Sequence, residues 1–168
     1  NPDQLLIVFA CAQPEPHRRM LDRFLVIAEQ KAIPPIIIAN KCDLVTRECA
    51  EDIFGLYREI GYEVILASAK TGEGLDQIRD ILKDRISAVT GPSGVGKSSL
   101  VACIQPDLKP RFARVSNVTG KGRHTTEVRE LYRLSEGGFI ADMPGIRSLA
   151  LWDIHSEELD GYFPELRP

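Results

Sequence analysis

The chain has 168 residues, 43% of them hydrophobic and 27% charged, with a net charge of −3. That is enough for one α/β domain with a sizeable core and an ordinary globular composition. No apolar run approaches the length of a membrane span, and the slightly acidic balance argues against a domain built over its whole surface to bind nucleic acid.

Taken in order, Leu5 to Ala10 is a continuous apolar run, as expected of a strand buried on both faces. Pro14 and Pro16 punctuate the loop that follows. Met20, Leu21, Phe24, Leu25, Ile27 and Ala28 recur at helical spacing between His17 and Lys31, and Pro34-Pro35 ends that helix. Ile36 to Ala39 is a second buried strand, and its exit is Asn40-Lys41-Cys42-Asp43. The spacing predicts a helix over Ala50 to Ile60, with Ile53, Leu56, Tyr57 and Ile60 on one side and Gly61 closing it. Val64 to Ala67 is a third strand and leaves through Ser68-Ala69-Lys70-Thr71-Gly72-Glu73-Gly74. Leu75, Ile78, Ile81 and Leu82 mark another helix, and Ile86 to Thr90 a short strand.

Next come Gly91-Pro92-Ser93-Gly94-Val95-Gly96-Lys97-Ser98-Ser99 and a helix from Ser98 to Ile104. Pro106 to Thr126 has no clear periodicity, and irregular segments of that length are usually functional or disordered. Glu127 to Leu134 alternates as a strand does and pairs, on this reading, with Phe139 to Ala141 through a Glu136-Gly137-Gly138 turn. The second of these strands ends in Asp142-Met143-Pro144-Gly145. The remainder, with Trp152 and Tyr162-Phe163-Pro164, reads as a helical tail. Strands alternating with helices give an α/β fold with a mostly parallel, doubly wound sheet. Ligands of such sheets bind beyond the carboxyl ends of the strands, where every short polar motif above is placed.

Gly91 to Ser98 fits G-x-x-x-x-G-K-[ST], the phosphate-binding loop, in the strand–loop–helix context the motif requires. Its glycines let the backbone bend so that successive N–H groups of Gly91, Ser93, Gly94, Val95 and Gly96 face phosphate oxygens. The helix that starts near Lys97 adds its positive end. Lys97 reaches the β- and γ-phosphates, Ser98 places its hydroxyl on Mg2+, and Ser99 adds a further phosphate contact. The base is read elsewhere. A carboxylate at Asp43 accepts from guanine N1–H and the exocyclic amine together, a donor pair adenine lacks there. Asn40 and Lys41 support the base and the neighbouring loops. After the next strand a backbone N–H of Ser68-Ala69-Lys70 faces the guanine carbonyl oxygen, and the Lys70 stem packs on the base. Asp142 holds Mg2+ through water, and the Gly145 N–H meets the γ-phosphate. A hydroxyl of Thr125 or Thr126, with Thr126 slightly favoured, completes the Mg2+ shell when GTP is bound.

These five elements together are the signature of a GTPase, but their order is unusual. Asn40–Asp43 and Ser68–Lys70 precede the phosphate loop, and Thr125/Thr126 and Asp142–Gly145 follow it, so the chain reads as a circularly permuted P-loop GTPase fold. Termini of a compact domain often lie close together, so such a rearrangement preserves the fold. The sequence resembles the ribosome small subunit-dependent GTPase A family. Leu21-Asp22-Arg23-Phe24-Leu25, Gly91 to Ser99, Gly122-Arg123-His124-Thr125-Thr126 and Tyr162-Phe163-Pro164-Glu165 carry the likeness. The resemblance implies a GTP-hydrolysing factor in late maturation of the small ribosomal subunit, stimulated by that subunit. It also implies an RNA-binding domain before these residues and a zinc-binding domain after them. Residues 1–150 are then the permuted GTPase domain, and 151–168 are a tail leading to the zinc-binding domain.

Ile146 stands after Asp142-x-x-Gly145, where Ras-like GTPases carry a water-orienting glutamine, so another side chain or the partner supplies that group. His124 is the nearest candidate, and the family pattern has a histidine there. A slow intrinsic GTPase is expected. Arg111, Arg114, Lys121, Arg123 and His124 make the long loop basic, either as an rRNA contact or as a solvated switch loop. Two rivals remain: a permuted GTPase for large-subunit assembly, opposed by Gly122 to Thr126 and Pro92-Ser93, and a guanine-nucleotide-binding module with negligible hydrolysis. The cysteines Cys11, Cys42, Cys49 and Cys103 form no C-x-x-C pair, so four reduced thiols are expected here and zinc only in the following domain. A monomer in the cytoplasm, or in an organelle, without a membrane partner completes the expectation. A chain beginning Asn1-Pro2 reads as a piece of a longer one, so an absent leader says little.

Overall fold

The computed structural model describes residues 2–108, 131–142 and 162–166. Six strands, β1 (Gln4–Ala10), β2 (Pro35–Asn40), β3 (Glu63–Leu66), β4 (Ile86–Thr90), β5 (Leu131–Arg133) and β6 (Phe139–Asp142), form one sheet in the order β3-β2-β1-β4-β6-β5. All neighbours are parallel except the β5–β6 hairpin at the edge. The helices α1 (Arg18–Gln30), α2 (Arg47–Ile60), α3 (Leu75–Leu82) and α4 (Lys97–Ile104) supply the crossovers.

β1 has no solvent face, and its side chains divide the core by parity. Leu6, Val8 and Ala10 join Leu75, Ile78, Leu82, Leu100 and Val101 of α3 and α4. Leu5, Ile7 and Phe9 join Leu21, Phe24, Leu25, Phe54 and Tyr57 of α1 and α2. Alternate Cβ atoms point to opposite faces, so a strand covered on both sides must be apolar throughout. Each fully buried large side chain here contributes about 1.5–3 kcal/mol against the cost of ordering the chain. At the amino ends of the strands the fully buried Gln4 is satisfied on both sides of its amide. Its Nε2 donates to Ile81 O at 2.7 Å and Ser87 Oγ at 2.8 Å, and its Oε1 accepts from Arg85 Nη1 at 2.9 Å. That network fastens β1, β4 and the end of α3 at the pole opposite the polar motifs.

The expected elements form, with three differences. α2 starts at Arg47 rather than Ala50, because Thr46 is its N-cap and accepts the Cys49 N–H at 3.2 Å. Its buried stripe is Ala50, Phe54 and Tyr57, while Leu56 is exposed. At about 100° per residue Leu56 falls well outside the arc that Ala50, Phe54 and Tyr57 share. Met20, counted with the core face of α1, lies in the first turn and is exposed beside Pro92 and Ser93. Of the expected helical tail, residues 151–161 and 167–168 lie outside the described residues, and Pro164–Leu166 is a 3-10 turn. Of the expected strand Glu127 to Leu134, residues 127–130 lie outside the described residues.

Candidate functional site

The parallel strands end together, and the loops that leave β1, β2, β3 and β4 meet around one cavity of about 370 Å³, a size usual for small-molecule pockets. Asn40, Lys41, Asp43, Ala69 and Lys70 line it together with Gly96, Ser99 and Gln13.

The phosphate-loop motif turns sharply away from β4. Gly91 has φ +139°, and a Cβ there would lie 2.1 Å from the Val8 carbonyl oxygen, so the loop presses directly on the β1 backbone. Gly96, at φ +96°, is the N-cap of α4, and a Cβ on it would come within 2.4 Å of Asn40 Nδ2. Neither position admits a side chain without displacing main chain or a buried amide. Lys97 Nζ donates to Gly91 O at 2.8 Å and Pro92 O at 2.6 Å, which holds the ammonium at the start of the loop. Ser93 and Gly94 are exposed, Val95 is buried and Ser98 is half-buried in the first turn of α4.

Asn40 is the joint between the loops. It is 1% exposed, donates from Nδ2 to Val95 O at 2.8 Å, and accepts the Ala69 N–H on Oδ1 at 3.4 Å. Lys41 takes a left-handed backbone conformation, φ +61°, and its Nζ donates to Gly94 O at 2.8 Å and to Gln13 O. Asp43 sits on a 3-10 turn, Cys42–Leu44. Its Oδ1 accepts from Ser68 Oγ at 2.6 Å. Lys70 Nζ lies 3.9 Å from Oδ2, but the Lys70 side chain is 80% exposed, so that pair is weak and solvent-screened. Fully buried Ser68 uses its whole hydroxyl: besides donating to Asp43 it accepts from the amides of Lys70 at 3.2 Å and Thr71 at 3.1 Å. The result is a carboxylate aimed at the cavity beside a fixed main-chain amide.

Asp142 pairs in register with Val89, so it stands at the carboxyl end of β6, next to the strand that enters the phosphate loop. Ser98 lies in the first turn of α4, and a hydroxyl is a hard oxygen donor of the kind that suits Mg2+. His124, Thr125, Thr126 and Gly145 lie outside the described residues, as does Ile146. All four cysteines are free thiols, and among the described residues no cluster of His, Cys, Asp and Glu is arranged to hold a metal. Burial and a 3.3 Å hydrogen bond to Glu73 Oε2 push the Cys42 thiol up to about 11. Burial, with Cys42 nearby, pushes Cys11 up to about 12.

Sequence reasoning missed Gln13. Its contribution to Lys41 is a carbonyl oxygen, which any residue type supplies; only its place at the carboxyl end of β1 could have marked it.

The profile of a family described as RsgA GTPase matches residues 1–152. A relative from Gemmatimonas aurantiaca, named small ribosomal subunit biogenesis GTPase RsgA, is 51% identical over 168 residues, covering 100% of this chain and 55% of its own. The fold is similar to the crystal structure of YjeQ from Thermotoga maritima, with a TM-score of 0.80 and 34% identity over 98% of this chain and 55% of that one. It is also similar to YloQ, described as a circularly permuted GTPase, with a TM-score of 0.74 and 36% identity over 99% of this chain and 53% of that one. The chain thus spans about half the length of the curated relatives it matches.

Proposed function

Since the chain belongs to the RsgA GTPase family, we propose that the protein binds and hydrolyses GTP and couples its nucleotide state to maturation of the small ribosomal subunit. The observation that carries this reading is the Asp43 carboxylate, 12% exposed and held by Ser68, on a cavity that the start of the phosphate-loop helix also lines. A carboxylate there selects a base with two adjacent donors, and the loop beside it binds the phosphates.

In this reading the amides of Gly91 to Ser99 and the Lys97 ammonium hold the β- and γ-phosphates. Asp43 takes guanine N1–H and the exocyclic amine, and Ser68–Lys70 takes the 6-oxo group. Ser98, Asp142 and Thr126 or Thr125 hold Mg2+, which when bound spreads the charge that builds on the β- and γ-phosphate oxygens. The Gly145 amide meets the γ-phosphate. Ile146 has no polar group to orient water, so His124 or a group of the subunit takes that role, and intrinsic turnover is slow. Arg111 to His124 meet rRNA phosphates, and loss of the γ-phosphate releases Thr125/Thr126 and Gly145. The protein acts as a cytoplasmic monomer. Residues 1–150 form its GTPase domain, and 151–168 lead to a domain that holds zinc.

The test is GTP turnover by the full-length protein, alone and with purified small or large subunits. Slow basal turnover with selective stimulation by small subunits is expected. Stimulation by large subunits would move the protein to the other assembly class. Tight GTP binding with no single-turnover hydrolysis under any condition would leave a nucleotide-binding module.

A further inference from the structure

Arg18, Arg19 and Arg23 crowd the first half of α1, and all three are exposed. The Arg18 guanidinium turns towards α2, where Nη2 donates to Asp52 O. The acids of α1 turn the same way. Asp22 Oδ1 accepts from Tyr57 OH of α2 at 2.7 Å, and Glu29 Oε1 accepts from Tyr62 OH, just beyond α2, at 3.3 Å. Arg19 and Arg23 are one turn apart and share a stripe that lies about 60–100° round the helix from Asp22. Among the described residues neither guanidinium has an ion pair or a hydrogen bond. Like charges at this spacing repel, and a cation in the first turn opposes the helix dipole. α2 and α3 place Glu48 and Asp76 in their first turns, whereas α1 has no acid there and its N-cap His17 makes no side-chain hydrogen bond. The stripe therefore costs the fold stability and gains nothing from the described residues around it; an anion laid against it would reverse both terms. It also starts at the nucleotide pole of the sheet. His17 and Met20, from the same end of α1, line a cleft of about 160 Å³ together with Pro92, Ser93 and Val95 of the phosphate loop.

We infer that the Arg19–Arg23 stripe is a docking surface for the phosphate backbone of the small subunit's RNA, set beside the phosphate loop. This rests on the small-subunit reading above and adds a surface separate from Arg111 to His124. A guanidinium is weakly hydrated and grips phosphate oxygens through two parallel N–H bonds, so two free ones held on a helix face lose little on docking. Each phosphate they neutralise releases condensed counterions, a gain that the dense charge of RNA supplies and a scattered patch of protein carboxylates does not. The acids of α1 are held on the α2 side, so they leave the stripe uniformly positive although the whole chain carries a net charge of −3.

The test is the affinity of the full-length protein, loaded with a non-hydrolysable GTP analogue, for purified small subunits between about 50 and 200 mM salt. Arg19→Ala and Arg23→Ala should each weaken binding by about threefold to tenfold and lower the slope of log affinity against log salt by about one, and the double variant should lower it by about two. Arg19→Lys and Arg23→Lys keep the charge and should keep the slope. Nucleotide affinity and turnover without subunits should not change, because neither arginine lines the nucleotide cavity. Lys83→Ala, an exposed cation at the opposite pole, should change neither affinity nor slope. Unchanged binding by the double variant would overturn the inference, and so would an equal loss in Lys83→Ala, which would mark a general effect of charge. Weaker binding at an unchanged slope would overturn it too, since the stripe would then meet protein. Wild-type protein that binds large subunits as tightly as small ones would instead overturn the functional reading beneath it.

Discussion

Asp43 and Ser68 divide one task between a charge and its support, and substitutions should separate them. Asp43→Asn removes an acceptor and presents a donor to guanine N1–H, so GDP should weaken by about a hundredfold or more while xanthosine diphosphate gains. Ser68→Ala leaves the carboxylate in place but removes its hydrogen bond and two acceptor sites for the Lys70 and Thr71 amides. GDP should then weaken by about tenfold with the base preference intact. Titrations with GDP and xanthosine diphosphate check both, and unchanged GDP affinity in the asparagine variant would reject the assignment of the base. Asp43 and the loop glycines are legible in the sequence because side-chain chemistry marks them, a carboxylate where paired donors are expected and glycines for φ values near +139° and +96°, whereas the Ser68 hydroxyl, expected only to accompany a main-chain amide, is not. Gln13 is not legible in that sense, since it meets Lys41 through a carbonyl that every residue carries, and Ala69 is marked only by its place after β3.

At the scale of elements, apolar runs and helical periods place the described strands and α-helices, because β1 and β2 are buried on both sides and leave no alternative, but not the 3-10 turns Cys42–Leu44 and Pro106–Leu108. The phase of α2 was the weak point. Thr46 sets its start through the Cys49 amide, and Phe54 rather than Leu56 faces the sheet. The layer that α1 and α2 build against β1 and β2 also gathers three groups that resist losing a proton. Burial leads in each case: Cys11 is raised from 9.0 to about 12 and Cys42 from 9.0 to about 11. Tyr57 is pushed up as well, by burial and by its 2.7 Å hydrogen bond to Asp22 Oδ1. Above about pH 9 the unfolded chain releases thiol protons that the folded chain keeps. Stability from these thiols is therefore fully present below that pH and is lost as the pH climbs towards their folded values. Urea midpoints between pH 8 and pH 10.5 should fall, and fall less steeply in Cys11→Ala. Parallel curves for the two proteins would remove Cys11 from this account.

For the molecule as a whole, the decisive fact is the sheet order β3-β2-β1-β4-β6-β5, which brings motifs far apart in the chain to one end of one sheet. The permuted motif order was visible in the sequence because each motif keeps its strand–loop context whatever the order of the pieces; the spatial order of the strands was not, because no residue pattern states which buried strand lies beside which. The sheet order also predicts how a nucleotide acts on stability. Cavity-lining groups come from the loops after β1, β2, β3 and β4, joined among others by Asn40, Lys41 and Ser68. A ligand that bridges these loops binds the folded chain and has no site in the unfolded one, so it stabilises the whole domain by mass action. At a hundredfold excess over its dissociation constant, GDP should add about 2.7 kcal/mol. For a domain of this size that is a rise in Tm of about 5–10 °C. ADP at the same concentration lacks the donor pair for Asp43 and should leave the transition nearly unmoved. Calorimetric melts with the two nucleotides decide the point. Equal shifts would mean that the phosphate loop binds without help from the base loops, and the four-loop cavity would then have no part in selecting the ligand.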